Sequence, residues 1–496
     1  MTETDYKSNL DAIFYPEKVA IIGASNSFNK WGSFITAHLI VGGYMGQVFP
    51  INPKEEKIFG RNVYKKIGDV PGKVDLAVVA TPAGVVADVV KECIEKNVKG
   101  LVIITSGFSE TGDEGERLEE ELANMVEKAG IPMVGPNTMG ALCTQKRLFT
   151  VGSPIFPRKG TISFVTQSGN LGVQMLEWAE NNSVGISKMV GSGNEACIAK
   201  EHYIEYLARD KDTRVIMLYL EGVDDGSHFL EAAKKATLNK PIIALKGGRT
   251  AAGGKAAHSH TGSMAGDSTV MTSVFRQSGI IEAKNASDMY DLSMAFDNLP
   301  LPRGDRVGIV TLGGGWGVLT TDALVEQGLC LATLDNSVIE RLDELLPPFW
   351  SRSNPIDLVG QVNPDVYIEA VQVVAESSNV DAVICLGMIG ISNVGIRTLL
   401  SSAAASDMDN IEYYVREAQE KYQQIEQDIL TRFNELMNQL KKPIINVSLY
   451  SGRRRASLRL KSGYSEVIYT TPEKAVQSLV AMYNYYKFLK GNGVVE

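Results

Sequence analysis

His260 stands in the run Lys255-Ala256-Ala257-His258-Ser259-His260-Thr261-Gly262-Ser263, in a chain with only five histidines. Its neighbours are small, so a backbone and a phosphoryl group can come close, and imidazole is a nucleophile at neutral pH. The pattern suits a loop whose histidine accepts phosphorus. On spacing alone, a flexible connection between a strand at Pro241–Leu245 and a helix at Ser268–Ser278 is the simpler account.

Three other segments bear chemistry. The turn Gly23-Ala24-Ser25 follows an apolar strand from Lys18 and precedes a helix, a phosphate cradle without the full GxGxxG spacing. The next strand ends Ile51-Asn52-Pro53-Lys54, with a cation where NAD-binding domains place an acid for the ribose hydroxyls. Lysine suits a nucleotide with an extra phosphate, such as coenzyme A, although a solvated surface lysine is the plainer reading. Thr81-Pro82 and Ser106-Gly107 lie in small polar turns after the following strands, where a nucleotide and a pantetheine arm would lie. Finally, Gln167-Ser168-Gly169-Asn170 opens a helix whose free N–H groups and dipole favour an anion, with Ser168 equally able to act as a plain N-cap.

The elements that must hold these residues repeat. Strand, glycine-bearing turn and amphipathic helix recur from Lys18, Thr161 and Arg306, about 145 residues apart, the size of one α/β domain. Each block then alternates buried strands with helices, as parallel sheets require. Strands are predicted at Gln47–Ile51, Leu76–Ala80, Leu101–Thr105, Pro132–Val134, Val215–Leu220, Ile242–Leu245, Ala382–Gly387 and Pro443–Val447. The expected fold is three consecutive doubly wound α/β domains at 1–145, 146–300 and 301–496, with ligands at the carboxyl ends of the strands. A charged helical insertion over about 405–441 breaks the rhythm. Its apolar stripe, Tyr413, Tyr414, Ala418, Tyr422, Ile425, Ile429 and Phe433, predicts a packing face.

Composition narrows the classes. With 49 basic and 58 acidic side chains the net charge is −9, which disfavours nucleic acid or an anionic membrane as partner. No apolar run reaches membrane-spanning length and the N-terminus is acidic, so a cytoplasmic protein is expected. Five scattered cysteines, never in a CxxC pair, fit reduced buried thiols and no metal site.

Taken with Tyr44-Met45-Gly46, Gly135-Pro136-Asn137-Thr138-Met139-Gly140, Tyr219-Leu220-Glu221-Gly222 and Asn354-Pro355-Ile356-Asp357-Leu358, these motifs come in the order found in one family. Over nearly its whole length the chain resembles the α subunits of NDP-forming acyl-CoA ligases, the ADP-forming acetate–CoA ligases of the succinyl-CoA synthetase superfamily. The resemblance implies a Rossmann-like CoA-binding domain followed by two flavodoxin-like ligase domains. It implies interconversion of acyl-CoA, phosphate and ADP with carboxylic acid, CoA and ATP, through an acyl phosphate and a phosphohistidine. Carried over residue by residue, it makes His260 the phosphohistidine, since the motif sets the nucleophile directly before Thr261-Gly262, and Glu221 the carboxylate that orients it. Gly23, Ala24, Ser25, Lys54, Thr81, Pro82, Ser106, Gly107 and Asn137 would bind CoA. Gln167, Ser168, Gly169, Asn170, Thr261 and Gly262 would bind phosphate. Arg249 offers a cation to steady it and is equally readable as a plain surface arginine.

No ATP-grasp block can be fitted, so ADP or ATP with Mg2+ is expected on a β subunit, in a hetero-oligomer. Thr138 stands where a cysteine is usual, Cys197 where an acid is, and Trp316 enlarges a turn that is normally Gly-Pro-Gly. A CoA-binding sensor without catalysis, or an NAD-dependent oxidoreductase, is the alternative.

Overall fold

A computed structural model describes residues 5–250, 252–253, 268–405, 410–448 and 463–495. The chain separates into two compact units, Met1–Met289 and Tyr290–Glu496. The first unit carries two large sheets and a two-stranded ribbon, Lys57–Ile58 with Arg61–Asn62, and the second carries one sheet.

The first sheet has five parallel strands, in the order Gln47–Ile51, Lys18–Ile22, Leu76–Val79, Gly100–Ile103 and Met133–Val134. Leu76–Val79 and Gly100–Ile103 are buried at every position, which is why they read as unbroken apolar runs. Their helices are amphipathic. Asp113–Ala129 carries Asp113, Glu114 and Glu116 in its first turn and ends on left-handed Gly130, so charge and cap agree with its direction.

The second sheet runs Ile281–Ala283, Ile242–Lys246, Val215–Leu220, Lys159–Thr166, Ile186–Gly191, Ala141–Cys143 and Leu148–Phe149, the last two antiparallel. The hairpin Ala141–Phe149 therefore belongs to this sheet, and the expected boundary at 145 falls in its turn. It also packs on the first domain: Gly42 leaves room for the Phe149 ring, and His38 Nδ1 lies 2.8 Å from the Val151 carbonyl.

In the second unit Cys330–Leu331, Arg306–Thr311, Ala382–Leu386, Ile444–Val447 and Ile468–Tyr469 form the sheet, with Ile356–Asp357 beside the end of Arg306–Thr311. Asn354 ties this edge together, donating to the carbonyls of Val307 and Ala332 and accepting from Ile309 N at 3.0 Å. In all three sheets the first strand lies between the second and the third of its own doubly wound set. In doubly wound sheets the loops at the carboxyl ends diverge at such a point, and ligands bind there.

The insertion is a helix over Ile411–Leu440 packed on helices Ser392–Ala405 and Pro364–Glu376. Ile429 and Phe433 are buried as the stripe predicts, but Tyr413 is 65% exposed and Tyr414 43%. Ala418, Tyr422 and Ile425 are half-buried and Tyr422 lies against Gly395, so the stripe packs along the helix except at its Tyr413-Tyr414 start.

Candidate active site

The first half of the site is built at the carboxyl edge of the first sheet. Gly23 has φ +92 and a Cβ there would collide with the Ala80 carbonyl, while Gly32, on helix Trp31–Val41, faces the Gly23 carbonyl with no space for a side chain. The helix start is thereby held against the strand-end turn. Asn52 joins this turn to the next loop: its Nδ2 donates to Ala24 O at 2.7 Å and its Oδ1 accepts from Lys54 N at 2.8 Å. Lys54 is exposed beside the turn, and the Ser25 hydroxyl accepts from Ser27 N at 3.1 Å. Sequence reasoning passed over Glu55, whose carboxylate accepts from Asn26 at 3.1 Å.

Thr105 donates to Thr81 O at 2.6 Å, so the two following turns are also tied. The Thr81 hydroxyl is buried without a hydrogen-bond partner among the described residues. Pro82 and Ser106 are exposed, and Gly107, at φ +105, sits against Ala83 while its N–H donates to Glu110 at 2.6 Å. Asn137, left-handed at φ +57, donates its N–H to Thr105 O at 2.9 Å. A glycine-cleared turn, an orphan hydroxyl and an exposed ammonium fit an elongated phosphorylated ligand such as CoA.

The second half lies at the start of helix Gly169–Asn181. Ser168 is the N-cap, its Oγ accepting from Leu171 N at 3.5 Å, so the plain capping role is present alongside any anion site. Asn170 is exposed on the first turn. Gln167 Oε1 accepts from Glu221 N at 2.5 Å and Gly222 N at 3.2 Å, so this side chain holds the Glu221 turn through its oxygen.

These two halves meet. Met139 packs on Gly169 where no Cβ would fit, Thr138 Oγ1 donates to the Gly191 carbonyl, and Gly193 leaves room only for the Pro136 carbonyl. The hydroxyl of Thr138 thus has a defined partner. Loop Gly135–Gly140, which starts from the first sheet, is seated at the anion-favouring helix start of the second.

Glu221 follows strand Val215–Leu220 and is buried. Burial, then the nearby Glu221 charge and a hydrogen bond to it, push the Tyr219 phenol up to about 12. Lys246, which sequence reasoning missed, donates to Glu221 O at 2.7 Å and Gly247 O at 2.5 Å, and burial lowers its pKa. The only sequence signal was a lysine closing an otherwise apolar strand. Gly247 N donates to Leu220 O at 2.8 Å, so the chain leaves the sheet beside Glu221. Arg249 donates to the Lys284 carbonyl. His258, His260, Thr261 and Gly262 lie outside the described residues.

The other histidines have packing roles. Burial lowers the His38 pKa, and burial, then the neighbouring His228, holds His202 down at about 4. His202 meets the His228 ring edge-on at 5.1 Å. Cys330 is exposed and the other four cysteines are buried; Cys197 lies 3.9 Å from the Tyr6 hydroxyl. Trp316 is partly exposed on helix Gly314–Glu326. Among the described residues no three His, Cys, Asp or Glu side chains are grouped to hold a metal, and no helix is long and apolar enough to cross a membrane.

Comparison with known proteins agrees with this geometry. Residues 17–144 match the CoA binding domain, 159–296 the succinyl-CoA ligase like flavodoxin domain, and 307–395 the ligase-CoA domain. The α subunit of acetate–CoA ligase [ADP-forming] I from Pyrococcus furiosus is 35% identical over 490 residues, covering 97% of this chain and 98% of that one. The α subunit of isoenzyme II from the same organism is 40% identical, over 77% of this chain and 82% of its own length. Against acetate–CoA ligase [ADP-forming] I of Archaeoglobus fulgidus, at 38% identity, the chain spans 54% of that protein. The structure of dinucleotide forming acetyl-coenzyme A synthetase 1 from Ca. Korarchaeum cryptofilum, in complex with phosphate and ADP, superposes with a TM-score of 0.82 at 32% identity, covering 99% of this chain and 100% of that one. The chain belongs to the family of ADP-forming acetate–CoA ligase α subunits, within the succinyl-CoA ligase-like proteins.

Proposed function

We propose that the chain is the CoA-binding and phosphoryl-carrying subunit of an ADP-forming acyl-CoA ligase. It converts acyl-CoA, phosphate and ADP into carboxylic acid, CoA and ATP, and the reverse. The observation that carries the reading is the seating of loop Gly135–Gly140 on the start of helix Gly169–Asn181, which places a CoA-side loop against an anion-favouring helix end.

In this reading Gly23, Ala24, Ser25, Lys54, Thr81, Pro82, Ser106, Gly107 and Asn137 hold CoA. Phosphate attacks the thioester carbonyl, the C–S bond breaks, and the thiolate takes a proton as CoA leaves. Ser168, Gly169 and Asn170, with Thr261 and Gly262 of the carrier loop, neutralise the acyl phosphate. Gln167 holds the Glu221 turn. His260 then attacks phosphorus in line, an N–P bond forms, the P–O bond to the acyl group breaks, and the carboxylate leaves. Glu221 accepts a hydrogen bond from the imidazole, which fixes its tautomer and stabilises the cation formed. A histidine carrier splits one transfer between separated sites into two, each needing little beyond positioning. ADP, with Mg2+, is supplied by an ATP-grasp β subunit in a hetero-oligomer, and the complex works in the cytoplasm.

The test uses acetyl phosphate on one side and labelled ATP with a candidate β subunit on the other. Acid-labile, alkali-stable phosphate should appear on wild type and be absent from His260→Ala. Label surviving in the variant would discard His260 as the carrier.

A further inference from the structure

We propose that Asn194 and Lys200 are positioning residues for the CoA site, Asn194 by clasping the Ser106–Glu110 turn and Lys200 by fixing the backbone from which Asn194 projects. The inference rests on the assignment of Ser106 and Gly107 to CoA and adds residues that touch no ligand themselves.

Asn194 follows strand Ile186–Gly191 of the second sheet, yet its amide reaches the first. Nδ2 lies 2.7 Å from Glu110 Oε2, 2.7 Å from Glu119 Oε2 and 3.0 Å from Ser109 Oγ, while Oδ1 accepts from Asn137 at 3.2 Å. One neutral amide therefore stands between two carboxylates that would otherwise repel each other. Glu110 in turn accepts from Gly107 N at 2.6 Å, so the clasp bears directly on the turn. Burial pushes the Glu110 carboxyl up, but the donors Asn194 and Gly107 outweigh it and hold it low, so it remains an acceptor.

The turn that presents Asn194 is itself anchored. Asn194 N donates to Pro136 O at 2.9 Å and Ala196 N to Gly135 O at 3.3 Å. Between them Glu195 is left-handed at φ +61, a conformation unfavourable for a side chain with a Cβ. Lys200, 1% exposed, holds Glu195, 4% exposed, at 2.6 Å. A second buried carboxylate, Glu201, lies 3.8 Å from the same ammonium. A buried lysine matched by two buried carboxylates is a poor way to gain stability, because desolvation offsets the attraction. It is an effective way to fix one backbone geometry, and the residue it fixes is next to the clasp.

Calorimetric titration of the full chain with CoA, alongside thermal melting, tests this. Asn194→Ala should weaken CoA at least tenfold with little change in melting, a split that a purely structural residue would not produce. Lys200→Met should weaken CoA and lower the melting point, and Lys200→Arg should restore part of both. The triple variant Glu195→Gln, Lys200→Met, Glu201→Gln leaves neither buried carboxylate without its cation, so it should regain stability while CoA affinity stays low. Folded Asn194→Ala and triple variants that bind CoA as tightly as wild type would overturn the inference while leaving the CoA site standing. A folded wild type that does not bind CoA would overturn the CoA assignment and this inference with it.

Discussion

Gly32→Ala is the sharpest probe of the CoA turn. In a helix interior alanine is favoured over glycine by about 1 kcal/mol, so propensity alone predicts a gain. The structure predicts a loss. The new Cβ would fall within contact of the Gly23 carbonyl and Ala24 Cα, which are backbone atoms fixed at a strand end and cannot swing aside as a side chain would. Overpacking of that kind costs about 1–3 kcal/mol, which exceeds the propensity gain over most of its range. At roughly 2–4 °C per kcal/mol for a unit of this size, melting of the first unit should fall by a few degrees. Opening the gap instead displaces the turn, and a tenfold loss of CoA affinity corresponds to about 1.4 kcal/mol. Gly84→Ala is the control, since nothing lies within 4 Å of its would-be Cβ. Calorimetry with CoA and scanning calorimetry of both variants decide the matter. Gly32→Ala with wild-type melting and CoA affinity would refute the close-approach argument.

Other perturbations have equally definite outcomes. Lys54→Glu should weaken CoA several-fold at low salt and less at high salt, as expected for an exposed charge, and titrations at two ionic strengths read this directly. Glu221→Gln should slow phosphorylation at His260 at least tenfold while CoA affinity is unchanged, measured by label incorporation from acetyl phosphate. Because the folded His202 is held at about 4, below its unfolded value near 6.5, the folded state binds fewer protons than the unfolded one between those values. Stability should therefore fall as pH drops through that window, and His202→Gln should flatten the pH dependence of the melting point. Burial raises the Asp210 carboxyl, but Lys188 and Thr213 outweigh it and lower it overall, so its contribution is present above about pH 4 and lost below. Lys188→Met, which strands that buried carboxylate, should cost about 3–5 kcal/mol in urea unfolding.

Much of the scaffold was legible because buried parallel strands are written as apolar runs. Val215–Leu220 has the predicted bounds, which is why Glu221 could be placed at a strand end from sequence alone. Helix Ser268–Ser278 likewise has its predicted bounds. What the sequence does not encode locally is which loop touches which. Gln167 looked like a phosphate ligand because it precedes a helix, and only the pairing of its strand with Val215–Leu220 puts its oxygen on Glu221 N. Lys246 and Asn194 were hidden for the same reason, since their partners are 25 and at least 57 residues away. The Tyr413-Tyr414 end of the insertion misled differently, because periodicity reports a possible packing face and not whether a neighbour reaches it.

The hairpin Ala141–Phe149 has a practical consequence for anyone dividing this molecule. A cut at residue 145 would unzip an edge ladder of the second sheet and leave the Phe149 ring severed from Gly42. Loop Gly135–Gly140 and the helix start at Gly169 are thus sewn into one piece, like two panels joined by a hem.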